Sequence, residues 1–262
     1  MPLLEAPARA ARGRLACAII VSLLAALAAV ACNQSSGPAL PPGRVTCEPL
    51  AKLISYRYRA EATLDLAARD PSQEPTDTYP PEPFKFTQAI EGAVLENGRI
   101  SATELSTGIS PAPTSTSVIA VDGKVWVNRG GDTWEPLDVG PGPPPVSYLP
   151  LDTCKAIAPD IDVSGETGEP ETVGNVASQK YSFDSLSSDL PDRHPNLGPQ
   201  SDAARLVTEF RGSIWIAEKD RYVTRLDLEG SGEYSNGRTL TLRISYELVD
   251  QNDRSIRIEP PD

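Results

Sequence analysis

The chain has 262 residues, enough for one large domain or two small ones, and its net charge is −12. An acidic chain lacks the basic surface that nucleic acid requires, and its charge opposes adhesion to anionic lipid. Composition and charge therefore exclude a nucleic-acid-binding protein and a protein held at a membrane by electrostatics alone.

Residues 1–31 have the parts of an export signal. Arg9, Arg12 and Arg14 form a basic region, and an apolar run of 17 residues extends from Leu15 to Ala31. That run is short for a spanning helix, and no later segment of the sequence is apolar enough to cross a bilayer. We predict that residues 1–31 are a lipoprotein signal peptide that is removed on export.

The motif Ala29-Val30-Ala31-Cys32 is typical of a bacterial lipobox, in which the cysteine is acylated and becomes the mature N-terminus. The alternative is a cysteine that follows an ordinary signal peptide by chance. Residues 33–43 form a polar, proline-rich tether that extends to roughly 35 Å. Cleavage leaves 21 basic and 35 acidic residues, so the acyl chains on Cys32 must provide the anchor. We predict that residues 32–43 tether the domain to the extracytoplasmic face of a bacterial membrane, in the cell envelope.

Residues 44–262 are predicted to form a single β-rich domain. A short helix over residues 46–54 precedes a strand of strict alternation, in which Tyr56 and Tyr58 share an apolar face. Further strands begin at Phe84 and Ile100, joined by the hairpin signal Asn97-Gly98. Two more strands, over residues 117–121 and 124–128, flank Asp122-Gly123, and a weakly helical segment covers residues 146–158.

The last third of the sequence is predicted to be mostly strands. A strand over residues 175–184 is followed by a long polar loop, residues 185–200, and by a short helix over residues 202–210. The final strands are predicted over residues 213–217, 222–228, 240–248 and 255–258.

The predicted fold class is α+β, mainly antiparallel β. Strands with one apolar face in a large sheet must curl over that face, and the predicted helices are too few to cover a flat sheet. We therefore expect a strongly curved sheet or unclosed β-barrel with a few short helices on its concave side.

Cys47 and Cys154 are the two cysteines left in the mature domain besides Cys32. In an exported protein they are expected to form a disulfide, and the alternative is two buried free thiols. The closed loop would contribute about 4–5 kcal/mol in the chain-entropy model. No Cys/His cluster has the spacing of a metal site, so we expect neither a metal nor a cofactor.

Residues suited to catalysis are scarce. The single histidine, His194, lies in the long polar loop, and no GxSxG motif is present. Gly230-Ser231-Gly232 is interpreted as a turn between strands. Residues 250–253 resemble the start of a calcium loop, but Pro261 stands where a bidentate glutamate is needed, which favours an Asx turn. We predict that the protein is not an enzyme.

The apolar faces of the strands offer the remaining candidate site. They either pack into an ordinary core or line a cavity for an apolar ligand, and the small number of helices favours the cavity. The predicted wall consists of Tyr56, Tyr58, Phe84, Phe86, Leu226, Leu240, Leu242 and Ile244.

Several segments resemble one known superfamily. They are Leu53-Ile54-Ser55-Tyr56-Arg57-Tyr58, Val125-Trp126-Val127-Asn128, Gly131-Asp132-Thr133-Trp134, Ile214-Trp215-Ile216 and Tyr222-Val223-Thr224-Arg225. Their layout over residues 44–262 resembles the LolA/LolB-like lipoprotein carriers, and is closer to the LppX/LprG-like lipid-binding lipoproteins. The long loops over residues 69–83, 138–145 and 185–200 depart from the compact members.

The resemblance implies an unclosed barrel whose concave face, covered by helices, accepts acyl chains. The expected function is a membrane-anchored lipoprotein that binds or carries a lipid or other apolar ligand. The alternative is an envelope binding module without a ligand cavity, acting as a sensor or structural protein.

Overall fold

The computed structural model describes residues 45–72, 79–108, 110–139, 146–158, 161–164, 166–186, 206–234 and 236–261. The predicted signal peptide, Cys32 and the tether lie outside the described residues, as does His194. Within the described ranges, no helix has the length and apolar character needed to span a membrane.

Two short helices and eleven strands make up the described domain. In chain order they are α1 (Glu48–Ala51), β1 (Ser55–Leu66), β2 (Phe84–Leu95), β3 (Ile100–Thr107), β4 (Thr114–Val121), β5 (Lys124–Asn128), β6 (Glu135–Leu137), α2 (Pro150–Ile157), β7 (Glu169–Val173), β8 (Val176–Leu186), β9 (Val207–Ala217), β10 (Val223–Glu233) and β11 (Thr239–Gln251).

The strands form one antiparallel sheet in the order β6-β5-β4-β3-β2-β1-β11-β10-β9-β8-β7. Strands β6 and β7 are its two edges and do not pair with each other, so the sheet is not closed into a barrel. The predicted α+β, mainly antiparallel fold class is confirmed.

Strand β1 lies near the middle of the sheet and shows why these residues form strands. Its burial alternates, with Tyr58 and Ala60 buried and Arg57 and Arg59 exposed, as a strand with one solvated face requires. The β4–β5 hairpin turns at Asp122 and Gly123, whose φ angles are 51° and 77°. Positive φ at both central residues is the mark of a type I′ turn, which matches the twist of the flanking strands.

One hydrophobic cluster forms the main core. It joins the inner face of the sheet to residues of both helices, including Leu50 of α1 and Ile157 of α2. Both helices therefore pack on the same face of the sheet, and the strands on either side curve around that face. Cys47 and Cys154 form a disulfide with a Cα–Cα distance of 5.9 Å, which links the N-terminus of α1 to α2.

The structure corrects the helix predicted over residues 202–210. Residues 201–205 lie outside the described part, and Val207–Ala217 form strand β9. Val207 and Phe210 pair across the sheet with Gly232 and Gly230 of β10. A Cβ on Gly230 would collide with both side chains, and one on Gly232 would collide with the backbone at Leu206, so the two glycines allow β9 to approach closely. Long-range pairing therefore overrides the helical spacing of the apolar residues.

The same pairing corrects two other predictions. Gly230-Ser231-Gly232 belongs to strand β10 and is not a turn, because the β10–β11 connection comes after Glu233. Strand β7 (Glu169–Val173) was not predicted, since its acidic and proline-containing sequence shows no apolar alternation.

The C-terminal segment also differs from its predicted strand. Residues 256–261 have no regular secondary structure, yet Ile256 and Ile258 are buried. They join Val121 in a second cluster on the outer face of the sheet, where Ile119 and Trp126 pack against them. The spacing of the two isoleucines thus reflects packing onto an existing sheet and not pairing with it.

Candidate ligand-binding site

An apolar cleft of about 240 Å³ lies where the two helices meet strands β1–β3. This apolar cleft is lined by Leu50, Ala51, Leu53, Tyr56, Val94, Leu95, Glu96, Gly98, Ile100, Leu149, Leu151 and Asp152. Its lining comes from α1, from the β2–β3 hairpin, from the start of β1 and from the beginning of α2.

The two helices that border the cleft are too short to be stable alone and are held by covalent and local constraints. Pro49 and Pro150 occupy the first turns of α1 and α2, where the missing proline N–H carries no penalty. The Cys47–Cys154 disulfide then joins α1 to α2. The helical side of the cleft is therefore positioned by the cross-link more than by helix propensity.

The charged residues that line the cleft are all acidic. Glu96 and Asp152 are the charged residues among the described lining, and no lysine or arginine lines it. Burial of the Tyr56 phenol, and secondarily the nearby Asp152 carboxylate, raise the pKa of Tyr56. The cleft is thus suited to an apolar group and opposes an anion.

Tyr56 connects the cleft with a group of buried tyrosines. Its ring meets that of Tyr58 at a centroid distance of 6.3 Å and an interplanar angle of 60°, an edge-to-face arrangement. Burial is the main cause of the raised pKa values of Tyr58, Tyr148 and Tyr246. The Tyr56 phenol adds to the effect at Tyr58 and Tyr246, and the Glu104 carboxylate adds to it at Tyr58 and Tyr148.

Two of these phenols make no hydrogen bond within the described part of the chain. The Oη atoms of Tyr58 and Tyr246 are buried and have no hydrogen-bond partner among the described residues. Gln88 on β2 is also buried; its Nε2 donates to Ser147 Oγ at 3.4 Å, and its Oε1 has no partner in the described part of the chain. Unpartnered buried polar atoms are rare in folded proteins and call for an explanation.

Small residues make room for the tyrosines. Gly92 pairs with Tyr58 across β1 and β2, and a Cβ on Gly92 would lie 2.6 Å from Tyr58 Cε1. The Tyr58 ring therefore lies directly on the backbone of β2. Ala60, Ala62 and Ala102 occupy neighbouring buried positions of the same face.

The predicted wall residues are spread along β1, with Ile244 and Leu226 near its middle. Tyr56 and Tyr58 lie at its beginning, whereas Phe84, Phe86, Leu240 and Leu242 pair with Leu64 and Leu66 at its end. About ten residues of strand separate these ends, which is roughly 30 Å. Of the eight, Tyr56 alone lines the apolar cleft. All belong to the main core cluster, Phe84 as a partly buried member, and their contact with a ligand stays a prediction.

Sequence reasoning missed the helical side of the site. Leu50, Leu53, Leu149 and Leu151 were not predicted as site residues, although they flank the two cysteines that were predicted to pair. The disulfide was the signal that could have found them, because it predicts that the apolar residues near both cysteines meet.

A larger groove, of about 600 Å³, runs over the outer face of β8–β11. Arg211 and Arg243 both donate to the Glu229 carboxylate there, at 2.6 and 2.8 Å, and these hydrogen bonds lower the pKa of Glu229. Arg243 also pairs with Asp65 at 2.9 Å. Because these charges pair with one another across the strands, the groove has the character of a solvated sheet face. Within the described residues, no group of three or more His, Cys, Asp or Glu side chains could hold a metal ion.

No family model and no curated protein matches the chain. Among solved structures, the chain is similar to the ywiB protein from Bacillus subtilis, with 12% identity and a TM-score of 0.20, over 77% of this chain and 97% of that one. It is also similar to a beta-barrel-like protein of domain of unknown function DUF1849 from Brucella abortus. That match has 12% identity and a TM-score of 0.22, over 76% of this chain and all of that one. These weak similarities establish no family, so the resemblance to lipid-binding lipoproteins stays an expectation.

Proposed function

We propose that the protein is a membrane-anchored lipoprotein of the bacterial cell envelope that binds a lipid chain or another apolar ligand in the apolar cleft. The observation that supports it is the cleft itself, which has an apolar lining at the junction of two disulfide-linked helices and a curved sheet. Acylation at Cys32 would hold the cleft within tether length of the membrane.

The size of the cleft limits the ligand. Its 240 Å³ corresponds to about eight water molecules at roughly 30 Å³ each, and so to a chain segment of about that many carbons. Each methylene that leaves water contributes about 0.8 kcal/mol, from which the cost of association is subtracted. The cleft therefore holds a short apolar chain, or one end of a longer chain, with modest affinity.

A cleft-filling variant tests the proposal. Leu151 lines the cleft and is half-buried, so Leu151→Trp should fill the space with little damage to the core. We expect this variant to lose binding of a fluorescent fatty-acid analogue that the wild-type chain binds. Leu105→Trp is the matched control, because Leu105 is 45% exposed and lies outside the cleft. Equal binding by the wild type and by both variants would remove the cleft from consideration.

The anchor is tested separately. Mass spectrometry of protein taken from its native membrane should find an acylated Cys32 at the mature N-terminus. A Cys32→Ser chain should appear in the soluble fraction. A different mature N-terminus, or a Cys32→Ser chain that stays on the membrane, would contradict the proposed anchor.

A second candidate is an envelope binding module with a closed core. The observation that favours it is the burial of Leu226, Leu240, Leu242 and Ile244, which pack together with the other predicted wall residues in one cluster. In a closed core, Ile244→Trp should destabilise the domain by about 1–3 kcal/mol. If organic extracts of the purified protein contain no lipid and no apolar probe binds, this second function replaces the first.

A further inference from the structure

We infer that the ligand of the apolar cleft carries an uncharged hydrogen-bonding group, which the hydroxyls of Tyr58 and Tyr246 hold. This inference rests on the proposed function and names the class of ligand: an apolar chain that ends in a hydroxyl, ester or amide group. It starts from two phenols that the fold buries and leaves without a partner.

The two hydroxyls make no hydrogen bond to the described residues. Tyr58 is 1% exposed and Tyr246 is 2% exposed, and the Oη atom of neither has a hydrogen-bond partner there. A phenylalanine would fill the same space without the cost of burying a bare hydroxyl. Two such groups on one face of the sheet therefore point to a partner that comes from outside the described fold.

The strand register places the two phenols side by side. Tyr58 pairs with Leu248, and Tyr246 pairs with Ala60, so Tyr58 and Tyr246 occupy a diagonal position across β1 and β11. Diagonal neighbours on one face lie roughly 7–8 Å apart and are within reach of aromatic side chains. The register therefore makes the two side chains neighbours on one face, and the inference requires one polar group to contact both hydroxyls.

Tyr58 follows directly on the part of β1 that lines the cleft. Tyr56 lines the cleft, Tyr58 follows two positions later on the same face of β1, and the two rings are in edge-to-face contact. Neither Tyr58 nor Tyr246 lines the cleft itself, so a chain that reaches their hydroxyls must extend past the Tyr56 side chain. The inference joins the apolar cleft and the polar pair into one site.

Charge determines which polar group is accepted. The described lining contains the carboxylates of Glu96 and Asp152 and no cation. The Glu104 carboxylate acts on the Tyr58 phenol from β3. A carboxylate or phosphate would meet repulsion and would leave water without a cation to pair with. A neutral hydroxyl, ester or amide meets neither cost and can exchange hydrogen bonds with two protonated phenols.

The test compares two probes that differ only in their polar end, decanol and decanoate. It uses the mature chain with Cys32→Ser, and calorimetric titration at neutral pH. The wild-type site should bind decanol at least about tenfold more tightly than decanoate. Tyr58→Phe and Tyr246→Phe should each weaken decanol binding by roughly tenfold, the value of one well-placed hydrogen bond. Tyr222→Phe, in the β9–β10 turn, is the matched control and should bind decanol as the wild type does.

The stability of the free variants provides a second measurement. Because the two hydroxyls are unpartnered in the described fold, Tyr58→Phe and Tyr246→Phe should leave the denaturation midpoint unchanged or raise it. A clear fall in the midpoint for both variants means that the hydroxyls already have partners, and it overturns the inference.

The remaining outcomes separate the inference from the proposed function. If decanol binds in the cleft and both phenylalanine variants bind it as tightly as the wild type, the inference fails and the proposed function stands. If decanoate binds as tightly as decanol, the selection for a neutral group fails in the same way. If neither probe binds at all, the proposed function fails and the inference fails with it.

Discussion

Arg238 is the largest side chain that the described domain buries completely. Its Nε donates to the Ala67 carbonyl at 2.8 Å and its Nη2 donates to the Glu82 carbonyl at 3.1 Å. These carbonyls lie at the two ends of the connection between β1 and β2, whereas Arg238 belongs to the β10–β11 hairpin. One guanidinium thus joins three strand ends, which a rigid fork of donors can do and a single ammonium cannot.

The first prediction concerns Arg238. Arg238→Ala removes the donor of both carbonyls and opens a cavity at a buried position, so the free energy of unfolding should fall by about 3 kcal/mol or more. The free energy of unfolding of Arg238→Lys should lie between those of Arg238→Ala and the wild type. Arg59→Ala is the control, since Arg59 is in an exposed ion pair with Glu91 and should cost far less. Urea unfolding measures all three, and equal losses for Arg238→Ala and Arg59→Ala would contradict the assigned role.

The second prediction concerns Gly92, on which the Tyr58 ring lies. A Cβ there would stand 2.6 Å from Tyr58 Cε1, so Gly92→Ala should lower the free energy of unfolding by about 1–3 kcal/mol. Gly131 has open space around its Cβ position and no positive φ, so Gly131→Ala is the matched control. It should be neutral or slightly stabilising. In the double variant Gly92→Ala, Tyr58→Leu, part of the loss should be recovered.

At the scale of elements, the edges of the sheet have features that oppose pairing with another chain. Strand β6 is three residues long and contains Pro136, and β7 contains Pro170 between two glutamates. Proline lacks an amide donor, and charges on a short edge oppose a neighbouring strand. The sheet therefore ends at both edges without closing and without exposing a long, flat apolar strand.

The third prediction concerns the disulfide between α1 and α2. It closes a loop with a sequence separation of 107 residues, and its loss should lower the free energy of unfolding by about 4–5 kcal/mol in the chain-entropy model. Because both helices line the apolar cleft, the Cys47→Ser, Cys154→Ser variant should also lose probe binding. Denaturant unfolding and probe titration measure the two effects. Full binding by a folded variant would show that the cross-link does not position the cleft.

The fourth prediction concerns the C-terminal segment. Ile256 and Ile258 cover Val121 and neighbouring apolar residues on the outer face of the sheet, and Arg99 Nη1 donates to the Ile258 carbonyl at 3.3 Å. Replacement of both isoleucines by aspartate should expose this patch and lower the free energy of unfolding by about 2 kcal/mol or more. Dye binding to exposed apolar surface should increase. The variant Arg254→Asp, which changes an exposed residue of the same segment, is the control and should leave dye binding unchanged.

At the scale of the whole molecule, the buried tyrosines make stability depend on alkaline pH. Burial raises the pKa values of Tyr56, Tyr58, Tyr148 and Tyr246 above the ordinary tyrosine value of about 10. The folded state therefore holds these protons more tightly than the unfolded state. Their stabilising contribution is complete below pH 10 and is lost as the pH rises above it.

The fifth prediction follows from this linkage. Each of the four tyrosines should lower the free energy of unfolding by about 1.4 kcal/mol per pH unit above pH 10. The summed loss from the four tyrosines exceeds the free energy of unfolding of an ordinary domain within a few pH units. Alkaline unfolding should therefore be steep and cooperative. Tyrosinate absorbance and circular dichroism should change together, and Tyr246→Phe should reduce the slope. Titration of all eight tyrosines near pH 10 in a folded protein would contradict this account.

Strands were predicted well where the alternation of apolar and polar residues was strict. Helices were predicted poorly where the helical spacing covered only a short segment. Strand β1 was predicted almost to its ends, because Tyr58 and Ala60 face one side and Arg57 and Arg59 the other. The apolar residues near Val207 and Phe210 had helical spacing, yet they form a strand because Gly230 and Gly232 of β10 accept them. A glycine in one strand and a bulky residue in another are far apart in sequence, and spacing within one segment cannot reveal that they meet.

The candidate site was predicted only in part for the same reason. Tyr56 lines the apolar cleft, and its contact with a ligand stays a prediction. The leucines that complete the cleft, on and beside α1 and α2, were missed. They lie in two short segments without a periodic pattern and come together only through the disulfide and the core. The remaining predicted wall residues are all apolar in the right period, but the register spreads them along the whole length of β1 and its neighbours.

The amino-acid sequence by itself determined the strands with strict alternation, their buried faces and the two cysteines of the disulfide, because each depends on residue type and local spacing. The tertiary structure alone decided the order of the strands, the strand at residues 207–217, the position of the C-terminal isoleucines and the boundary of the apolar cleft. It also decided that the Tyr58 and Tyr246 hydroxyls are buried without partners among the residues that the structure describes. The physical reason is that burial and pairing depend on which distant segments pack together, and that choice is made by the free energy of the whole fold.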